Sequence, residues 1–221
     1  MRQLVIIAAS IATWTTWISF DESAMPRVVS QAARDASPRM VLDNPRVRVY
    51  RTTAGSLTGV NHGPAVVVSL EDGPGAKTGS AVWVEDAAVS SGTSNVRGAI
   101  GGSIVIVQPH RQAARMAPAP TGSKPGEATF TGMSFNPIFE NDRVSVIRAR
   151  MEVGAREGFH THGSDTIVVH LSGGEIEDTA DGKSVVNRWK RGDVEFEGLG
   201  TSHSARNVGG AVDVVLVALK P

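Results

Sequence analysis

Gly158-Phe159-His160-Thr161-His162, and the later run Gly192-Asp-Val-Glu-Phe-Glu-Gly198-Leu-Gly200-Thr-Ser-His203-Ser-Ala-Arg-Asn207, are the two stretches on which the fold turns. Side chains alternate along a strand, so His160 and His162 point to one face, and a third histidine from a later strand completes a facial set of imidazoles. Three neutral nitrogen donors converging on one point predict a metal site at His160, His162 and His203.

These residues resemble the cupin superfamily. Its first motif runs glycine, His, any residue, His, then an acid three or four residues on and a closing glycine. Here that reads His160, His162, Thr166 in the place of the acid, and Gly173. In the second motif Gly192, Gly200, His203 and Asn207 fall at the family spacing, with Gly198 where a proline is usual. The resemblance covers about residues 138 to 221 and implies a jelly-roll barrel with three metal ligands kept and the carboxylate lost. Asp165, one place before Thr166, becomes a fourth oxygen ligand only if a bulge turns it inward.

An internal repeat extends the reading toward the amino terminus. Val41-Leu-Asp-Asn-Pro-Arg-Val-Arg-Val-Tyr-Arg51 parallels Ile138-Phe-Glu-Asn-Asp-Arg-Val-Ser-Val-Ile-Arg148, Ala65 to Gly73 parallels Thr166 to Gly174, and Ser103 to Val107 answers Asp213 to Val217. The expected fold is therefore all-β, two cupin-type jelly-roll barrels (double-stranded β-helices) from an internal duplication. In the first copy only His62 remains of the histidines, and Asn95 falls where the third would sit. One ligand cannot hold a metal, so that copy reads as a structural unit or a substrate wall.

Composition agrees with short strands. The 221 residues are 41% apolar with 24 glycines and 11 prolines, valine-rich runs are punctuated by glycine, and no long helical periodicity appears. Lys plus Arg at 22 balances Asp plus Glu at 22, which leaves no bulk field to attract nucleic acid or an anionic membrane. No cysteine occurs, which removes disulfides, thiolate ligands and a cysteine nucleophile together.

Residues 1–24 carry a positive start and a short apolar stretch, a signal peptide or signal anchor in outline. The protein is expected to be exported, periplasmic or secreted, with membrane contact only through that segment if it stays uncleaved. Residues 41–110 form the degenerate copy, 111–134 a linker rich in Pro, Ala, Gly and Ser, and 135–221 the metal-binding barrel. Strands are expected at Val144 to Ala149, Thr166 to Leu171, Val185 to Trp189, Val194 to Phe196 and Val212 to Leu219, with Gly173-Gly174 and Asp181-Gly182 as turns.

Three histidines on one face of an octahedral ion leave positions for water, substrate or dioxygen. Without a carboxylate, the ion keeps its full charge for an anionic chelating substrate. The three-histidine cupins that the resemblance points to include Fe(II) dioxygenases; Zn(II) or Ni(II) would instead support a lyase, isomerase or hydrolase, and a noncatalytic small-ligand-binding cupin is the rival from another class. The expected partner is a small molecule.

Among other residues, His170 shares parity with Thr166 and is read as a candidate proton relay or a satisfied interior histidine. Arg206, Arg148 and Arg150 are candidate clamps for a substrate carboxylate, and Thr166 a candidate substrate contact. Asn207 reads as a turn residue, His62 as a vestige and His110 as a surface residue. Trp83 and Trp189 read as corresponding positions in the two copies, packed in the core or at a barrel edge.

Overall fold

The structure, a computed structural model, describes residues 37–54, 56–57, 59–87, 102–110 and 130–220. The segment 1–24 expected as a leader, Asn95 and most of the stretch expected as a linker lie outside the described residues. No helix among the described residues is long and apolar enough to cross a membrane.

Two strands show why the chain folds as it does. β3 (Ala65–Ser69) and β8 (Thr166–His170) are buried at every position, so both of their faces are covered. Val66 and Val68 point into one apolar layer while Ala65 and Val67 point into another, the period of two expected of a strand. In β8, Ile167 and Val169 enter the same shared layer, and Val168 and His170 turn to the opposite side.

Around β3 the first unit builds a five-stranded antiparallel sheet. Its members are β1 (Arg39–Asp43), β2 (Val47–Thr53), β3, β4 (Ala81–Val84) and β5 (Ser103–Pro109), in the order β1-β2-β5-β3-β4. The second unit comprises β6 (Phe130–Glu140), β7 (Val144–Thr161), β8, β9 (Gly174–Ala180), β10 (Lys183–Trp189), β11 (Val194–Glu197), β12 (Ser202–Asn207) and β13 (Val212–Leu219). Its order is β10-β9-β12-β7-β13-β8-β11, with β6 paired to β7.

The duplication is written into the backbone. Asn44 Oδ1 accepts from the amides of Arg46 and Val47 at 2.8 and 3.0 Å, and Asn141 Oδ1 accepts from Arg143 and Val144 at the same two distances. The Gly79 amide donates to Ser69 O and the Gly192 amide to His170 O, both at 2.8 Å, and both glycines have φ near the left-handed region, +84° and +82°. The pairings β1 with β2, β2 with β5, β5 with β3 and β3 with β4 recur as β6 with β7, β7 with β13, β13 with β8 and β8 with β11.

That register corrects one expectation. Trp83 lies opposite Val66 on β3, as Phe196 lies opposite Ile167 on β8, so the counterpart of Trp83 is Phe196. Trp189 belongs to β10, which has no equivalent between β3 and β4. There the first unit has only a short turn with an isolated bridge between Gly73 and Ala76. In the second unit a hairpin fills the gap, β9 to β10, turned by Asp181 and Gly182 with φ of 52° and 71°.

Other boundaries also shift. β6 starts at Phe130, inside the stretch read as linker, because Gly132 and two register shifts disguise a strand that pairs with β7. β7 runs on from Ala149 to Thr161, and β9 and β12, too polar to stand out by hydrophobicity, complete the sheet.

The units share one core. Val47, Val49, Val66, Val68, Val105 and Val107 of the first pack against Val144, Val146, Ile167, Val169, Val215 and Val217 of the second, all fully or almost fully buried. Each such side chain contributes about 1.5–3 kcal/mol relative to exposure. Polar ties cross the same seam: Arg46 to Asp165, Arg143 to the carbonyl of Pro109, and Arg148 to the carbonyl of Thr78. Away from it, Tyr50, Leu57, Val60, Val67 and Ile106 fill the first unit, whereas the second retains a cavity of about 100 Å³.

Candidate metal centre and barrel cavity

Strands β7 and β12 run antiparallel with His203 directly opposite His160, so the two imidazoles are cross-strand neighbours. His162 follows two residues after His160, and its backbone is tied to the β11–β12 turn by exchanged hydrogen bonds with Thr201 O and the Gly200 amide, both at 2.9 Å. The three rings form a nearly equilateral triangle with centroids 4.8, 4.8 and 4.9 Å apart. One nitrogen from each lies within 4.8 Å of the others, a spacing able to hold a metal ion.

Surrounding acceptors settle two tautomers. His160 Nδ1–H donates to Gly158 O at 3.0 Å, and His203 Nδ1–H donates to Asp178 Oδ1 at 2.9 Å. With the Nδ1 protons so engaged, each ring in its neutral form turns an Nε2 lone pair toward the centre, the pattern by which outer partners orient metal-binding imidazoles. His162 Nε2 stands 3.0 Å from His203 Nε2. Two nitrogens bound side by side at about 2.1 Å from a common ion are separated by roughly this distance. The residues therefore fit a divalent cation.

The site is richer in carboxylates than the motif reading allowed. Glu157 Oε1 is 3.6 Å from His160 Nε2, and its Oε2 is 4.0 Å from His203 Nε2. Glu197 Oε2 lies 3.5 Å from His162 Nδ1. Thr166 stands in the place of the motif acid, as expected, and Glu157 brings a different acid beside the histidines. Burial pushes Glu157 up, and burial followed by repulsion from Glu195, Glu157 and Asp178 pushes Glu197 up to about 8. Burial and then its two neighbouring histidines push His162 down to about 4.

Asp165 is not a fourth ligand. It is buried, facing the first unit, where Arg46 Nε meets it at 2.6 Å and the Leu199 amide donates to it at 2.9 Å. Thr166 is buried with its hydroxyl 3.3 Å from Ser164 Oγ, beside the cavity rather than in its wall.

The arginines divide. Arg148 is forked onto Asp213 and bonded to Thr78 O, facing the seam instead of the cavity. Arg206 pairs with Glu177 in a separate groove with Arg156 and Thr131. Neither is free to clamp a substrate. Arg150 reaches the cavity wall but is engaged by Glu152 at 2.7 Å. His62 is 78% exposed beside Asp86, and His110 sits on the surface 3.9 Å from Asp43. Asn207 is buried and its amide group reaches the carbonyls of Met151, Glu152 and Gly210, fastening the end of β12 to β7.

His170 is 1% exposed and stacks on Trp189, with centroids 4.5 Å apart and planes 18° from parallel. It lines the cavity together with His203, Asp178, Glu195 and an apolar wall that includes Met133, Met151 and Val212. Glu195 and Glu197 were legible in Val194-Glu-Phe-Glu197, where Phe196 packs on the shared core and alternation sends the two acids inward. Glu157 was hidden because it stands at odd spacing from His160, and strand alternation alone would put it on the other face. A register shift at His203 to Ala205 locally breaks that alternation.

No protein-family model matches the chain, and no curated protein matches it. Among solved structures, a cupin domain from Bordetella pertussis Tohama I is similar at 25% identity, over 41% of this chain and 95% of that one, with a TM-score of 0.39. An RmlC-like cupin from Shewanella frigidimarina is similar at 16% identity over 45% and 89%, TM-score 0.35. KdgF from a Halomonas species is similar at 19% identity over 46% and 96%, TM-score 0.35.

Proposed function

We propose that this chain is a duplicated cupin whose second unit holds one divalent metal ion on His160, His162 and His203 and acts as an Fe(II)-dependent dioxygenase on a small metabolite. The observation that carries the metal reading is the convergence of three imidazoles, two of them with Nε2 lone pairs presented by Gly158 O and Asp178. Iron in such a setting supplies chemistry with dioxygen, whereas zinc or nickel supplies polarisation of a carbonyl or a water.

The chain's own residues do the rest. Asp178 and the Gly158 carbonyl hold the rings in orientation, Met133, Met151 and Val212 keep the cavity dry, and Asn207 fixes the strand end behind them. The amino-terminal segment supports an exported protein. The first unit, filled by its own side chains, serves as the support on which the second is built.

A second reading has its own observation. Glu157 Oε1, 3.6 Å from His160 Nε2, is placed to take a proton from a substrate bound beside the histidines. That favours an isomerase, lyase or hydrolase with zinc or nickel.

Elemental analysis of protein purified without a histidine tag, alongside a His160→Ala/His203→Ala double variant, tests the proposal. Near-stoichiometric iron lost in the variant, with substrate-dependent oxygen uptake, supports the oxygenase. Zinc or nickel with oxygen-independent turnover moves the function to the second reading. No metal in the wild type after reconstitution overturns the metal centre and leaves a ligand-binding barrel.

A further inference from the structure

His170 is the one described histidine whose two ring nitrogens are both buried without a hydrogen-bond partner. Glu195 Oε2 stands 4.0 Å from its Nε2, beyond hydrogen-bond reach. In either neutral tautomer one ring nitrogen donates and the other accepts, and in the charged form both donate, so every form leaves polar demand unmet. Buried polar groups are rarely left so. The ring cannot turn away, because it is stacked on Trp189 and anchored on β8, whose backbone pairs on both sides. The demand is directed into the same cavity that His203 borders.

The cavity's charge narrows what can meet it. Glu157, Asp178, Glu195 and Glu197 line it, and Arg150, the only lysine or arginine among the described lining residues, is taken by Glu152. Among the described lining residues the wall offers an entering anion no cationic side chain beyond the engaged Arg150, and an unpaired charge in a poorly solvated space is costly. A volume of about 100 Å³ accommodates a compact molecule smaller than the benzene held by an engineered cavity of about 150 Å³.

We infer that the barrel binds a small uncharged molecule whose apolar body fills the cavity and whose hydroxyl, or a comparable donor-acceptor group, hydrogen-bonds to His170, with Trp189 as the platform that holds the imidazole in place. The inference rests on the proposed metal centre, of which His203 lines the same cavity. His170 is a positioning contact for ligand in this account, and it discriminates an alcohol from a carboxylate.

Two three-carbon probes test it, propan-1-ol and propionate, each added at millimolar concentration to ¹⁵N-histidine-labelled full-length protein. Expected is a shift of the His170 ring nitrogens with propan-1-ol, little change with propionate, and roughly tenfold weaker propan-1-ol binding in His170→Phe, which keeps the stack and removes the polar atoms. Propionate binding as tightly as propan-1-ol, an unmoved His170 in the wild type, or undiminished binding in the variant would each overturn the inference. The wild-type spectrum decides the matter even if the variant fails to fold. Metal content measured on the same samples separates the two claims. Metal retained with no response at His170 sinks this inference alone, and a response at His170 in protein that takes no metal sinks the metal centre alone.

Discussion

Arg46 Nε lies 2.6 Å from Asp165 Oδ2 across the seam between the two units, with both side chains largely buried. The pair fixes how a turn of the first unit meets the start of β8 in the second, the strand that carries His170. It also explains why Asp165, adjacent in sequence to the expected ligand position, faces away from the histidines.

Removing one partner of such a pair strands a buried charge. Arg46→Met is expected to lower stability by about 3–5 kcal/mol, and Arg46→Met with Asp165→Asn to recover much of that loss. Urea unfolding of the two variants checks it. An equal loss in both would mean that the charge pairing is not what the first substitution removes.

The valine seam predicts shared unfolding. Ile167 is fully buried between the units, and Ile167→Ala is expected to cost about 2–5 kcal/mol. Because both units border the same layer, fluorescence of the whole chain and hydrogen exchange in β2 and β13 should report one transition. Two separated transitions would show that the layer does not couple the units.

Asp178 tests the metal site through its orientation. Asp178→Asn keeps size and removes the charge that accepts from His203 Nδ1–H, and should weaken metal affinity about 10–100-fold with the fold intact. A competition titration against a chelator of known affinity measures this. Unchanged affinity would mean that His203 does not need that partner.

A pH prediction comes from Asp72. The backbone amide and then the hydroxyl of Thr78, followed by Lys77, hold its carboxyl down to about 2. A depressed acid contributes stability that is fully present above the ordinary carboxylate range and is lost as pH falls toward about 2. Carbon-detected titration should place its midpoint there, and Thr78→Val should move that midpoint upward, since one of the two Thr78 bonds is removed. A midpoint at the ordinary value in the wild type would contradict the bonds from the Thr78 amide and hydroxyl to Asp72, both at 2.9 Å.

Much of this was readable before the structure, and the reasons differ by residue. His160, His162 and His203 were legible because a strand period of two and glycine-marked turns are properties of the chain itself. The repeat that carries Asn44 and Asn141 was legible because the two stretches match position by position, but the turn those side chains build was not read from it. Glu157 was not, because a local register shift decides which face it takes. Nor was the fate of Arg148 and Arg206, since any arginine on a strand looks available until its acid, here Asp213 or Glu177, is seen beside it. The correspondence of Trp83 with Phe196 needed the register, because a hairpin present in only one copy displaces the alignment.

Gly79 and Gly192 bring the two halves into mutual dependence. A methyl group on Gly79 would come within 2.7 Å of Leu171, and one on Gly192 within 2.7 Å of Arg51 and 2.9 Å of Leu70. Each glycine therefore makes room for a side chain of the other half, and the side chains so accommodated, Leu70 and Leu171, are themselves repeat-related. Neither copy can drift at these positions without its sibling yielding. The half without the histidine cluster is kept in shape by the half that has it, and holds it in shape in return.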